Sequence, residues 1–185
     1  MIVTRTEPTP EFSRPVDIGD IGDDGVELDV EASADERRAL AKRFDLQAID
    51  LLTACIGVSR IDGGAAIPII RIDVRFRADV VQTCVVTLES VAAHIEDRAV
   101  LDFMPPVGPN PRQVAFSVDA GDPPEPLLGD WVDVGEVVAE HLALALDPYP
   151  RKPGAVFDAN RDRTERGDDR PGGPFAGLAK LKRGT

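Results

Sequence analysis

The sequence predicts an α+β fold: a single domain in which a largely antiparallel β-sheet, or a partly closed β-barrel, carries two main helices. Residues 49–103 are rich in Val, Ile and Thr with only short polar breaks, which is typical of consecutive strands. Two other segments combine a helix N-cap with apolar residues at three- and four-residue spacing. With 185 residues, 43% of them hydrophobic, the chain has enough apolar surface for one ordinary core.

The sequence of residues 1–31 predicts an arm, a loop and two strands. Residues 1–11 are polar and contain two prolines, so we expect a flexible arm. Residues 12–18 favour an edge strand, in which Pro15 is tolerated because an edge need not donate every hydrogen bond. Residues 19–25 have the composition of a loop. Residues 26–31 alternate apolar and acidic side chains, as a half-exposed strand does.

A capping box of Ser33 and Glu36 opens the first helix, which we expect to end near Phe44. Leu40, Ala41 and Phe44 supply its apolar face. Cations in the last turn interact favourably with the helix dipole, so helix stability explains part of the basic surface without a ligand. The basic residues of this helix are Arg37, Arg38, Lys42 and Arg43.

Three long strands are expected next, over residues 49–60, 67–81 and 83–103, the last with an internal irregularity. Asp62-Gly63-Gly64 is a hairpin signal between the first two. In the second strand apolar side chains alternate with charged ones, so one face belongs to the core and the other is open.

The open face of that second strand carries a candidate basic stripe for a partner, formed by Arg71, Arg75 and Arg77. Asp73 and Asp79 are interleaved with these arginines, however, and opposite charges on neighbouring strands stabilise each other. Cross-strand ion pairing is therefore the favoured interpretation.

The segment between the strands and the last helix is irregular in composition. Residues 105–111 predict a connector and residues 113–119 a further strand. Residues 119–128 form an acidic, proline-rich loop that cannot be regular. Its length and Glu125 make it a candidate partner-binding loop, with a plain surface loop as the alternative.

The helix within residues 130–151 has the strongest local signals in the chain. Asp133 is the predicted N-cap, and Glu136 completes a capping box. Pro148 and Pro150 end the helix near residue 146 or 147. The apolar stripe comprises Val134, Val137, Val138, His141, Leu142 and Ala145, and the positions left for a partner are Glu136, Glu140 and Trp131 at the helix entrance.

Charge is distributed unevenly between the body and the C-terminal tail. The net charge is −12, but residues 151–185, beginning with Arg151, hold nine basic and five acidic residues, which leaves 12 basic and 28 acidic residues in 1–150. So acidic a body repels phosphate and favours a basic partner, whereas the tail can contact RNA or stay solvated. We expect residues 174–182 to form a short amphipathic segment that docks in cis or in trans through Phe175, Leu178 and Leu181.

The inventory of chemically reactive residues is poor. Cys55 and Cys84 lie in apolar surroundings and are interpreted as buried free thiols of a reducing, cytoplasmic compartment. His94 and His141 are interpreted as structural. We expect no catalytic residues, cofactor or metal, no leader segment and no membrane span.

Three stretches of the chain match a recognisable set of motifs. Residues 82–91 (QTCVVTLESV) resemble a central C-x-x-C/T-L-E-P signature. Residues 133–151 are similar to a D-L-G-E-L-V-x-E-x-L-x-L-x-L-x-P helix, and residues 174–182 to an N-P-F-A-x-L-x-x-L-K ending. In this order the three motifs resemble the YceD family, the large ribosomal RNA subunit accumulation proteins. The resemblance spans about residues 12–182 and looks like the α-proteobacterial branch. It implies a YceD-like domain over residues 12–150, in a cytoplasmic bacterial protein needed for normal accumulation of large-subunit ribosomal RNA, with no established catalytic activity.

The sequence departs from the family where zinc ligands would be. Many relatives carry C-x-x-C in the central segment and further cysteines after the helix, which together suggest a zinc site. Here Thr87 stands at the second cysteine position and residues 148–151 contain no cysteine. We therefore expect no zinc, and a packing role for Cys84.

Three functional hypotheses remain open. The first is a non-enzymatic ribosome-assembly factor that binds a ribosomal protein or precursor large-subunit ribosomal RNA. The second is an enzyme with no recognisable site. The third is a protein–protein adaptor unrelated to ribosomes. The sequence makes no prediction of oligomeric state.

Overall fold

A computed structural model describes residues 10–62, 68–104, 124–127 and 129–157. The elements confirm the α+β class. In chain order they are β1 (Pro15–Asp17), a 3-10 turn (Ile18–Asp20), β2 (Val26–Glu31), α1 (Ala34–Arg43), β3 (Ala48–Asp62), β4 (Pro68–Thr83), β5 (Ser90–Met104), β6 (Glu125–Pro126), β7 (Trp131–Asp133) and α2 (Val134–Ala145).

The main sheet has five strands in the order β2-β3-β4-β5-β6, and β1 and β7 form a separate two-stranded sheet. The neighbours β2 to β5 are antiparallel, whereas β6 runs parallel to β5. The main sheet is mixed and does not close on itself. The predicted sheet is therefore confirmed, and the partly closed barrel is not supported.

The two faces of the main sheet differ as the alternation in β4 predicts. Every second residue of β4 from Ile70 to Val80 is buried, and the residues between them are exposed or half-buried. α1 packs against β3, and α2 packs against β4 and β5. The helices and one sheet face thus enclose a single core, and the opposite sheet face is open to solvent.

Both predicted helices are present. Ser33 and Glu36 form the expected reciprocal capping box of α1, and Phe44 is its C-cap. Asp133 caps α2 by accepting hydrogen bonds from the N–H groups of Gly135 and Glu136, and α2 ends at Ala145 before the prolines. Glu136 does not complete a second capping box, because its carboxylate binds Arg43 instead.

Several predicted boundaries are wrong for local reasons. The strand expected over residues 83–103 begins only at Ser90, because residues 85–87 form a turn and Leu88 has a φ of 59°. The strand expected over residues 12–18 is only Pro15–Asp17, because the carboxylate of Asp17 accepts a hydrogen bond from the Gly19 N–H and caps the 3-10 turn.

The loop expected to be irregular over residues 119–128 contains β6, whose two residues pair with Phe103 and Met104. β7 was not predicted. The strand expected over residues 113–119, the connector over 105–111 and the glycines of the Asp62-Gly63-Gly64 turn lie outside the described residues. So do residues 1–9 of the expected arm and residues 158–185 of the tail.

The segment Phe12–Arg14, here called the N-terminal clamp, lies against the starts of both helices. Phe12 is fully buried in the common core. The carboxylate of Asp133 accepts hydrogen bonds from the Ser13 hydroxyl (2.6 Å) and the Arg14 N–H (2.7 Å). The guanidinium of Arg14 binds both carboxylate oxygens of Glu36 on α1. The clamp therefore connects α2 to α1.

Within the described part of the chain, neither helix combines the length and the apolar character needed to cross a membrane.

Candidate interaction surface

The three arginines proposed from the sequence as a basic stripe do lie together on the open face of the sheet. All three are exposed and lie on β4. In the β4–β5 register Arg75 lies opposite another arginine, Arg98, so four arginines share this part of the face.

Three of these four arginines form ion pairs with carboxylates of the neighbouring strand. The guanidinium of Arg71 donates two hydrogen bonds of 2.7 Å to Asp102 and lowers the pKa of that carboxyl group. Arg75 is in no ion pair within the described residues. The β4–β5 half of the face is therefore largely neutralised, as cross-strand pairing predicts. The pairs are Arg71–Asp102, Arg98–Asp73 and Arg77–Glu96.

His94 belongs to the same ladder of charges. Its Nδ1 lies 2.6 Å from a carboxylate oxygen of Asp79, and its Nε2 lies 3.4 Å from Glu96. The carboxylate of Asp79, and then that of Glu96, raise the pKa of the imidazole. The structural role expected for His94 thus takes the form of a cross-strand ion pair.

The β2 side of the open face is acidic and uncompensated. Glu27, Asp29 and Glu31 alternate along β2 and are all exposed. None of them is in an ion pair within the described part of the chain. A groove of about 820 Å³ extends from Asp29 and Glu31 across Cys55 to the arginines of β4 and β5.

Cys84 lies where two of the three stretches that resemble the family meet, residues 82–91 and residues 133–151. Its Sγ accepts hydrogen bonds of 3.4 Å from the N–H groups of Lys152 and Thr87. These donors, first Lys152 and then Thr87, lower the pKa of the thiol to about 6. Val85 donates to the carbonyl oxygen of Pro150 (2.9 Å), so the turn after β4, residues 84–88, here called the Cys84 turn, is attached to the residues that follow α2.

The expected packing role of Cys84 agrees with its complete burial. Cys55, in contrast, is half-buried on the open face, where burial had been expected. Within the described residues, no group of three or more His, Cys, Asp or Glu side chains is arranged to hold a metal ion.

Three of the residues proposed for a partner are acids of β6 and α2. Partial desolvation, and then the carboxylates of Glu136 and Glu125, raise the pKa of Glu140. Glu136 is not free for a partner, because it accepts bonds of 2.7 and 3.0 Å from the guanidinium of Arg43. Glu125 and Glu140 are exposed.

The remaining proposed residues are dispersed. Trp131 is exposed at the entrance of α2, and Arg151 is exposed after its end. Phe175, Leu178 and Leu181 lie outside the described residues. Sequence reasoning passed over the acidic row of β2 as a candidate surface, although the alternation VELDVE was the signal that places three carboxylates on one face.

Comparison with known proteins gives one match. No curated protein and no solved structure matches the chain. The family described as "Large ribosomal RNA subunit accumulation protein YceD" matches residues 72–182. That range is more than half of the chain and contains most of β4 and all of β5, the Cys84 turn, α2 and the sequence of residues 174–182. The chain therefore belongs to the YceD family of large ribosomal RNA subunit accumulation proteins.

Proposed function

We propose that this protein is a non-enzymatic ribosome-assembly factor that supports accumulation of large-subunit ribosomal RNA by binding a basic ribosomal protein. The family description names accumulation of the large ribosomal RNA subunit. The single observation that favours a protein partner is the charge of the open sheet face. Three of its arginines are already paired, whereas the three acids of β2 have no cationic partner within the described residues.

Direct binding of RNA by the sheet is disfavoured on physical grounds. Contact with a phosphate backbone requires cations that are free to replace counterions. The paired arginines would have to exchange one carboxylate for another anion, and the neighbouring β2 acids would repel the phosphates. A basic ribosomal protein, in contrast, gains from the same acids through complementary charge.

The proposal is tested by capture of partners with and without ribonuclease. Tagged full-length protein is isolated from cells, and half of the sample is digested before washing. Large-subunit ribosomal proteins that stay bound after digestion support a direct protein contact. Their loss after digestion indicates tethering through RNA and contradicts the proposed partner. Their absence from both samples contradicts the assembly role.

A deletion strain provides the functional arm of the test. Removal of the gene should lower the ratio of large- to small-subunit ribosomal RNA, and the wild-type gene should restore it. An unchanged ratio in the deletion strain would contradict the proposed function.

A further inference from the structure

We propose that the outer edge of β2 docks an extended segment of the partner in which basic and apolar residues alternate, and that this segment adds to the sheet as a further strand. The inference rests on the proposed function and names the surface that carries it. An exposed strand edge is a template for pairing with another chain.

β2 is the edge strand of the five-stranded sheet. It pairs with β3 on one side, from Val26 opposite Val58 to Glu31 opposite Thr53. On its other side no strand lies within the described residues. The outer edge of β2 therefore has no strand partner among the described residues.

The direction of the free backbone groups follows from two hydrogen bonds. The N–H of Ala32 donates to the carbonyl oxygen of Leu52 on β3, so the backbone N–H and C=O groups of the even-numbered residues of β2 point toward β3. The carbonyl oxygen of Glu31 accepts a bond of 3.3 Å from the guanidinium of Arg14, which lies on the outer side. Because the parity alternates, the backbone groups of Glu27 and Asp29 also point outward.

The residues with outward backbone groups are the acidic ones; the carbonyl oxygen of Glu31 is bound by Arg14, and those of Glu27 and Asp29 have no partner among the described residues. Glu27, Asp29 and Glu31 direct exposed side chains to the open face, and the preceding loop adds three more exposed acids: Asp20, Asp23 and Asp24. Within the described part of the chain, none of the six is in an ion pair. Basic side chains on an added strand would meet this row on the open face.

The other face of the added strand would meet apolar atoms. Val26, Leu28 and Val30 alternate with the acids and are only partly buried, and Leu28 and Val30 pack against the margin of the core. Valine- or leucine-sized side chains of the partner would extend this margin. An alternation of Lys or Arg with apolar residues therefore matches both faces of β2.

The same charges argue against a second copy of this chain as the occupant. Pairing of two β2 strands would place Glu and Asp side chains opposite each other on one face, which is destabilising. RNA is opposed for the same reason. A basic extended protein segment is the partner that this edge accommodates.

The test uses the full-length protein and a synthetic seven-residue peptide that alternates Lys with Val. Binding is followed by amide chemical shifts, and the expected changes centre on residues 26–31. The double variant Glu27→Gln/Asp29→Asn should weaken binding at least about fivefold, since it removes two complementary charges. The matched control Asp45→Asn/Asp50→Asn removes two exposed acids beside α1 that are in no described ion pair, and should leave binding unchanged.

A substitution that alters the backbone distinguishes strand addition from attraction by charge alone. Glu27→Pro removes an outward N–H without removing a bond to β3, whereas Glu27→Gln removes only the charge. Strand addition requires the proline variant to bind the peptide more weakly than the glutamine variant. If Glu27→Pro does not fold, protection of the Glu27 and Asp29 amides from hydrogen exchange by the peptide gives the same information.

The outcomes distinguish this inference from the function it rests on. Shifts elsewhere than β2, equal loss in both double variants, or displacement of the peptide by a single-stranded RNA oligonucleotide would overturn the docking edge. If ribosomal proteins still stay bound after ribonuclease in that case, the proposed function stands with another surface. If they do not, the proposed function fails whatever the peptide does.

Discussion

Gly135 and Phe12 are in backbone contact: a Cβ atom on Gly135 would lie 2.4 Å from the carbonyl oxygen of Phe12. Alanine is normally the better helix residue by about 1 kcal/mol. Here Gly135→Ala should instead lower the free energy of unfolding by about 1–3 kcal/mol, because either the N-terminal clamp or α2 must move. Urea denaturation measures the change.

The control for this substitution is Gly22→Ala, since a Cβ there meets nothing within 4 Å and the backbone does not require glycine. That variant should be unchanged or slightly more stable. Equal stability of Gly135→Ala and wild type would show that the clamp does not pack tightly on α2.

The Arg14–Glu36 ion pair predicts a pH-dependent stability. Hydrogen bonds from Arg14, and then from Ser33, lower the pKa of Glu36 from 4.5 to about 2. A carboxyl group whose pKa is lower in the folded state stabilises the fold above its unfolded pKa, and that stabilisation is lost as the pH falls from about 4.5 through 2. Glu36→Gln should cost on the order of 1 kcal/mol at pH 7 and flatten the dependence in this window.

Thermal unfolding between pH 2 and 7 checks the prediction for Glu36. Glu27→Gln, at an exposed acid with no described ion pair, is the matched substitution and should behave as wild type. If both variants retain the wild-type pH profile, the Arg14–Glu36 pair does not contribute to acid sensitivity.

His94 should titrate above its ordinary pKa. Asp79, the dominant cause, and Glu96 stabilise the imidazolium, so the pKa of His94 is raised above 6.5. The stabilisation is complete below pH 6.5 and is lost as the pH rises through the raised value. NMR titration of the ring protons should show a larger decrease of the pKa in Asp79→Asn than in Glu96→Gln. The reverse order would contradict the assigned geometry.

Cys84 should be more important for stability than Cys55. Cys84→Ala leaves the partly buried N–H groups of Lys152 and Thr87 without their acceptor and removes a fully buried side chain, so it should lower the melting temperature. Cys55→Ala changes a half-buried side chain on the open face and should have little effect. Equal melting temperatures of the two variants would show that the Cys84 sulfur does not attach the Cys84 turn to the residues that follow α2.

Local signals in the sequence were sufficient for the helices and for strand β2. Ser33, Glu36 and Asp133 act as caps through side chains within three residues of their targets, so a single sequence contains the whole interaction. The alternation in β4 likewise predicts which side chains are buried, because successive side chains of a strand point to opposite faces of the sheet.

Interactions between residues far apart in the chain could not be predicted from the sequence. Glu136 has the spacing of a capping box, but Arg43, 93 residues away, binds it instead. The same limit applies to the arginine stripe. Asp73 and Asp79 in β4 suggested pairing, yet the partners of Arg71 and Arg77 lie on β5, where only the register places Asp102 and Glu96 opposite them. β7 was missed because its three residues are held by pairing with β1.

The N-terminal clamp has a consequence for folding during synthesis. Ser13 and Arg14 bind Asp133, at separations of 120 and 119 residues, so this contact closes a very long loop. A ribosome completes the whole main-sheet region before α2 exists to cover Phe12. We therefore expect folding of this domain to be slow and to finish only once α2 has left the exit tunnel, with the apolar sheet face open to chaperones until then.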